Sequence, residues 1–407
     1  MAAAANDPRQ PTSGLKASPA PASQQAPGSG FAYEPRTEMV FGNGVLARLG
    51  ELTGRHGGQK CLLVTDPGIV AAGHVARAVA SLEQEGVHTV VFDGVLENPT
   101  TVEVTAGLAI ARAESVDFLV GLGGGSSLDC AKGINFLFSC GGEIRDYWGV
   151  GKATSEMLPM IAIPTTAGTG SENQSFALIS DPQTHQKMAC GDKKAACRVA
   201  LLDPELTVSQ PPRVAAATGI DALSHAVESY VTTKRNPLSQ AFARQAWSLL
   251  CSSFERIIDV PEDLEARGRM LLGASLAGMA IENSMLGAAH SAANPLTARF
   301  DVVHGNAVGL LLSHVVRYNQ REVGAEYAEL ARVAGETCDA ANGGEALAAI
   351  IERLLEKSGL PGTLTAYGVS EADIPSLAEG ATAQWTAQFN PREVTHGEFE
   401  TIYRCAL

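Results

Sequence analysis

The feature that most limits how this chain can fold is a change of hydrophobic period part-way along it. Between residues 31 and 204, short apolar runs at 61–65, 89–92, 118–121, 160–163 and 199–202 alternate with segments of helical period. Strands separated by amphipathic helices imply βαβ units, and hence a parallel sheet with helices on both faces. Past Pro204 the strand-like runs stop. Helical patterns follow at 214–232, 236–258, 263–281, 305–318, 322–338 and 344–357, so the second half is predicted to be all-α. The expected architecture is an α/β N-terminal domain over 31–204 with a Rossmann-like parallel sheet, and an all-α domain over 205–407.

Composition narrows the partners. The 407 residues carry 44 Asp and Glu against 30 Lys and Arg, and a formal charge of −14 argues against a general affinity for nucleic acid phosphates. No apolar run approaches the roughly 18 residues of a membrane helix. The eight cysteines show neither CxxC pairs nor framework spacing, as in a reduced, cytoplasmic protein. The stretch 1–30 is rich in Ala, Pro, Ser, Gln and Gly and lacks the apolar segment of a secretory signal, so it is expected to be a disordered tail.

Two turns invite a dinucleotide. The run Phe118-Leu119-Val120 leads into Gly121-Leu122-Gly123-Gly124-Gly125-Ser126-Ser127-Leu128-Asp129 and then a helix. Glycines there let backbone N–H groups approach a pyrophosphate, and the helix N-terminus adds partial positive charge. The spacing is not GxGxxG, since the third position falls on Ser126; a tight strand-to-helix turn is the plain alternative. A second polar segment, Pro164-Thr165-Thr166-Ala167-Gly168-Thr169-Gly170-Ser171-Glu172, follows another buried run and offers hydroxyls to a cofactor, or simply caps its next helix. Asp66 ends the run 61–65, where a carboxylate accepts from ribose hydroxyls and repels a 2′-phosphate, favouring NAD over NADP; helix capping is the commoner use of such an Asp.

Four residues suggest a metal. Asp221 and His225 are four apart, on one helical face, unless Thr218 and Asp221 form a capping box while His225 packs into the core. His290 and His304 follow, and Pro295 is expected to break any single helix through both, so that folding must bring them together. Small residues around His290, and Gly305 after His304, are read as room for a ligand. A lone histidine is usually structural, whereas three imidazoles and one carboxylate make a divalent-metal shell.

With these segments in place, residues 35 to 407 resemble the iron-containing, group III alcohol dehydrogenases, relatives of dehydroquinate synthase and glycerol dehydrogenase. The likeness rests on Gly123-Gly124-Gly125-Ser126 through Asp129 and Lys132, on 164–172, on Asp221 with His225, and on His290 and His304 in order. Asn98-Pro99, Asp203-Pro204 and Leu311-Leu312-Ser313-His314-Val315 add to it. The resemblance implies a dehydroquinate synthase-like fold in which Asp221, His225, His290 and His304 hold Fe2+ or Zn2+. It further implies an NAD site formed by Asp66, Asn98, Gly124, Gly125, Ser126, Asp129, Thr165, Thr166, Thr169, Lys187 and Asn294. The activity implied is hydride transfer between NAD(H) and a small primary alcohol or aldehyde, by a homo-oligomer that binds neither nucleic acid nor membrane.

Two departures from the family pattern stand out. Asn294 takes the place of a histidine often assigned to proton transfer, and an amide cannot relay a proton as imidazole does. Asn173-Gln174 replaces a common Val-Thr, which predicts a more polar pocket wall. Rival readings are a hydroxyacid-oxoacid transhydrogenase, which would retain its nicotinamide, a dehydroquinate synthase-like lyase, and a scaffold that has lost catalysis.

Overall fold

The computed structural model describes residues 30–184 and 186–407, so the tail expected at 1–30 lies almost wholly outside the described residues. Nine strands come first: β1 (Glu38–Phe41), β2 (Lys60–Val64), β3 (His88–Phe92), β4 (Phe118–Gly123), β5 (Gly149–Val150), β6 (Met160–Pro164), β7 (Phe176–Ser180), β8 (Lys187–Gly191) and β9 (Val199–Leu202). Among and after them run α1 (Leu49–Arg55), α2 (Pro67–Ala71), α3 (His74–Gln84), α4 (Thr101–Glu114) and α5 (Gly125–Cys140). Beyond Leu202 the described residues contain no strand. The helices there are α6 (Pro212–Val231), α7 (Pro237–Cys251), α8 (Phe254–Asp259), α9 (Leu264–Glu282), α10 (Ala288–Phe300), α11 (His304–Val333), α12 (Gly343–Lys357), α13 (Ile374–Thr382) and α14 (His396–Cys405).

Six strands form one sheet in the order β1-β9-β6-β4-β2-β3, every pair parallel. Alternate residues feed opposite faces, as the period of two requires. Leu62, Val64, Leu119, Met160 and Ala162 enter the layer under α4 and α5. Cys61, Leu63, Phe118, Val120, Ile161 and Ile163 enter the layer under α1 and α3. The sheet is therefore covered on both faces, and its near-continuous apolar strands are those of a buried parallel sheet. A small sheet, β5-β8-β7, pairs β7 antiparallel with β8 and stands beside α5.

The two-part α/β-then-α architecture matches the expectation, with differences in detail. The pattern at 236–258 is two helices, α7 and α8, interrupted at Ser252–Ser253, while 305–318 and 322–338 are one helix bent where Val323 leaves helical geometry at φ −136°. Pro295 does not break its helix: α10 runs through it, and the chain turns instead at Asp301, whose φ is +55°. α6 starts at Pro212, so Thr218 and Asp221 are mid-helix and form no capping box; the Thr218 hydroxyl donates back to Val214.

Candidate active site

The glycine turn sits where β4 gives way to α5. Gly123 has φ +150°, and a Cβ there would lie 2.5 Å from Ser127 Oγ, so only glycine fits. The Thr165 N–H donates to the Gly123 carbonyl at 2.9 Å, joining this turn to the one after β6. A Cβ at Gly124 would rest 3.4 Å from Thr166 Cγ2, and one at Gly125 would strike Thr169 Cγ2 at 2.6 Å. Gly124, Gly125, Thr165, Thr166 and Thr169 thus face one another at the carboxyl ends of neighbouring parallel strands, where open α/β sheets hold ligands.

Around them, the Asn98 N–H donates to Ser126 Oγ at 3.2 Å and Lys187 Nζ donates to Asn98 Oδ1 at 3.2 Å. Asn98 holds this position in left-handed geometry, φ +52°. Asp66 caps α2 through Oδ1, which accepts from Gly68 and Ile69, while Oδ2 lies 3.4 Å from Ser127 Oγ at the edge of the turn. The capping use of Asp66 is therefore realised, and one of its oxygens still faces the turn.

Asp129 departs from the rest. Its carboxylate accepts from Ser171 Oγ at 2.6 Å and from the Leu178 N–H at 3.3 Å, and it lies 3.8 Å from buried Lys132 Nζ. These contacts give it a part in holding the fold. Lys132 does parallel work: its ammonium donates to Ser171 O and Oγ, Gln174 O and Phe176 O at 2.6 to 2.9 Å. Together the pair pins the segment that continues the Thr165–Thr169 turn. Asn173 and Gln174 also donate inward, to Ser275 and to Thr169 O, so their amide N–H groups serve loop anchoring before pocket polarity.

The second cluster is built from three helices. Asp221 and His225 share a face of α6, His290 lies in the first turn of α10 and His304 begins α11. Asp221 Oδ1 is 3.6 Å from His225 Nε2, 3.6 Å from His290 Nε2 and 3.9 Å from His304 Nε2. Ligating atoms of Asp221, His290 and His304 fall within 4.8 Å of one another; His225 reaches the same Asp221 oxygen but stands outside that tight triple. All these separations exceed a hydrogen bond. Asp221 Oδ1 and His290 Nε2 are buried without any protein hydrogen-bond partner, which costs about 1–3 kcal/mol each. A divalent cation would satisfy both, and the donor set of imidazole nitrogens and one carboxylate oxygen is one that Fe2+ and Zn2+ accept. The residues fit the group.

The electrostatics follow from burial and crowding. Burial drives the His304 imidazole down to about 3 and also lowers His225. Burial pulls His290 the same way, but the carboxylates of Asp221 and Glu228 outweigh it and raise His290 to about 9. Asp221, whose burial alone would raise it, is held below the ordinary carboxylate range by the histidines around it. The Asp221 carboxylate acts on Lys187, and the Lys187 ammonium on His304, so charge in one cluster is felt in the other.

Glu228 was given no role by its sequence context. Its Oε2 lies 2.6 Å from His290 Nδ1, and the signal was available: Asp221, His225 and Glu228 recur at helical spacing on α6. Asn294, one turn beyond His290, donates through Nδ2 to Gln384 Oε1 at 2.9 Å, a partner in the helical half. Gly305 does not provide ligand room. A Cβ there would sit 2.0 Å from the Ala217 carbonyl oxygen, so the glycine permits α11 to pack on α6, and the small residues Ala288, Ala289, Ala292 and Ala293 are likewise buried in the helical core.

Comparison with known proteins matches residues 35–204 to the iron-containing alcohol dehydrogenase model and 215–407 to the C-terminal model of the Fe-containing alcohol dehydrogenase family. Alcohol dehydrogenase 4 of Schizosaccharomyces pombe is 39% identical over 397 residues, covering 97% of this chain and 93% of the relative. The NAD-dependent methanol dehydrogenase of Bacillus methanolicus is 34% identical over 371 residues, 90% of this chain and 97% of the relative. A crystal structure of 1,3-propanediol oxidoreductase superposes with a TM-score of 0.90 at 36% identity, covering 93% of this chain and all of that one.

Proposed function

This chain belongs to the iron-containing alcohol dehydrogenase family, and from that premise we propose that it moves hydride between NAD(H) and a small primary alcohol or its aldehyde, using a metal held by Asp221, His225, His290 and His304. The observation that carries the reading is the meeting of three imidazole nitrogens about one buried, unpartnered carboxylate oxygen. The region 31–204 is assigned the dinucleotide and 205–407 the metal ligands. When bound, the metal supplies Lewis acidity toward an alcohol or carbonyl oxygen, and the nicotinamide gives or takes the hydride.

The chain's own residues do the rest. Gly124 and Gly125 keep the α5 N-terminus bare, so that its N–H groups and partial positive charge meet a pyrophosphate. Lys187 adds a cation beside Asn98 and Ser126. The Asp66 carboxylate at the β2 end disfavours a 2′-phosphate, which selects NAD over NADP. Asn294 holds no titratable proton, so the proton exchanged with substrate reaches solvent by water or by a ribose hydroxyl rather than through residue 294. Fe2+ is the metal of the family name, with Zn2+ its chemical rival at this donor set.

All eight cysteines are free thiols, which fits the cytoplasm, and no helix among the described residues is long and apolar enough to cross a membrane. The assembly proposed is a homo-oligomer. The test is a panel of short aldehydes with NADH and NADPH before and after chelation, with elemental analysis of the purified protein. NADH oxidation that stops on chelation and returns with Fe2+ or Zn2+ is expected; full turnover by metal-free protein would refute the reading.

A further inference from the structure

α10 begins without a conventional cap. Gly287 precedes its first turn and offers no side chain, yet the N–H groups there are buried and must find acceptors. Glu228, reaching across from α6, supplies them. Its Oε1 accepts from the Ala289 N–H at 2.7 Å, and its Oε2 accepts from the Gly287 N–H at 3.1 Å. Asn390 Oδ1 takes the remaining Ala288 N–H at 3.3 Å, and is itself locked by a two-way amide pairing with Asn319. Gly287 eases the approach, because a Cβ there would lie 3.1 Å from both Glu228 Oε1 and Asn390 Oδ1 and press on each.

The same carboxylate meets His290 Nδ1 at 2.6 Å. Both of its oxygens already accept backbone N–H groups, so in this third contact Nδ1 is the donor. In the neutral ring that metal ligation requires, the lone pair is then on Nε2, the atom 3.6 Å from Asp221 Oδ1. We propose that Glu228 is a positioning residue which, by gripping the first turn of α10 and the Nδ1 proton of His290 together, fixes the tautomer and ring direction in which His290 presents Nε2 as a metal ligand. The inference rests on the assignment of His290 to the metal shell.

An amide cannot do this work in either orientation. With Gln at 228 and its oxygen at the Oε1 place, the NH2 faces the Gly287 N–H and drives His290 to the other tautomer, with the proton on Nε2. With the oxygen at the Oε2 place, the NH2 faces the Ala289 N–H. Loss of such an outer partner lowers metal affinity by about ten- to hundredfold.

The test compares the full-length apoprotein of wild type, Glu228→Gln and Glu228→Asp, reading Co2+ affinity by chelator competition, the visible Co2+ spectrum, and NADH binding. The expected order of Co2+ affinity is wild type, then Asp, then Gln, with Gln about tenfold or more below wild type and NADH binding unchanged. A folded Gln variant that binds Co2+ within about twofold of wild type, or more tightly than the Asp variant, overturns the proposal. Should the Gln variant not fold, the Asp variant decides: its shorter arm is expected to weaken Co2+ binding and shift the spectrum, and identity with wild type overturns it. Wild-type apoprotein that takes up no Co2+ refutes the metal assignment itself, and this proposal with it.

Discussion

Gly305→Ala probes how tightly helix packing and the metal cluster are joined. In an exposed helix this exchange is favourable by about 1 kcal/mol, since alanine restricts the unfolded chain and favours helix. Here the new Cβ would stand 2.0 Å from the Ala217 carbonyl oxygen, 2.8 Å from its carbon and 3.2 Å from Asp221 Cβ. The first two are backbone of α6, so no rotamer change relieves them. Restoring van der Waals distance requires α11 and α6 to part by roughly 1.5 Å, and forced overpacking of this kind costs about 1–3 kcal/mol. His304 is the residue before the glycine, so the shift carries its Nε2 away from Asp221, from a starting separation of 3.9 Å. A site tolerates displacement of only about 0.5 Å. The assay is thermal unfolding with metal content, against Gly54→Ala, where nothing lies within 4 Å of the added Cβ. We expect Gly305→Ala to melt about 1–4 °C lower and to lose most of its metal, and Gly54→Ala to melt unchanged or slightly higher. A Gly305→Ala protein with wild-type melting and full metal content would refute the argument.

Lys132→Met leaves several buried acceptors without their donor; we expect a loss of about 3 kcal/mol or more, read by denaturant unfolding, and a stability within about 0.5 kcal/mol of wild type would contradict it. Gly125→Ala drives a methyl into Thr169, so KM for NADH should rise by about tenfold while metal content stays full, and an unchanged KM would count against the cradle. Asn294→His introduces a group titrating near about pH 6.5 one turn from His290. A new ionisation in the pH dependence of kcat/KM is expected, and an unaltered profile would remove this position from the proton path.

Much of this was legible in the sequence because the signals were local. The apolar runs of β2, β4, β6 and β9 are buried on both faces, so period and length suffice to find them. The glycine turn and the i, i+4 spacing of Asp221 and His225 are equally local. Most of what escaped depends on tertiary context. β1 is a four-residue edge strand with two exposed residues and β8 carries little apolar signal, whereas β7 escaped although Phe176-Ala177-Leu178-Ile179 is an apolar run as long as that of β9. α10 was obscured because Pro295, a helix breaker by propensity, is tolerated eight residues into a helix packed on buried alanines. Gly305 was read as room for a ligand, when it serves the packing of α11 on α6, and the structural partners of Asp129 are ones that only the fold reveals. Glu228 shows the converse: its spacing on α6 was visible, but its partner lies 62 residues away.

The central claim is that Asp221, His225, His290 and His304 hold one catalytic metal. Anomalous diffraction from crystals grown with Fe2+ or Zn2+, collected on both sides of the metal's absorption edge, tests it most directly. The account predicts one strong edge-dependent peak per chain, within coordination distance of Asp221 Oδ and of the Nε2 atoms of all three histidines. A metal bound elsewhere, or fully active crystals with no peak at that position, would contradict it.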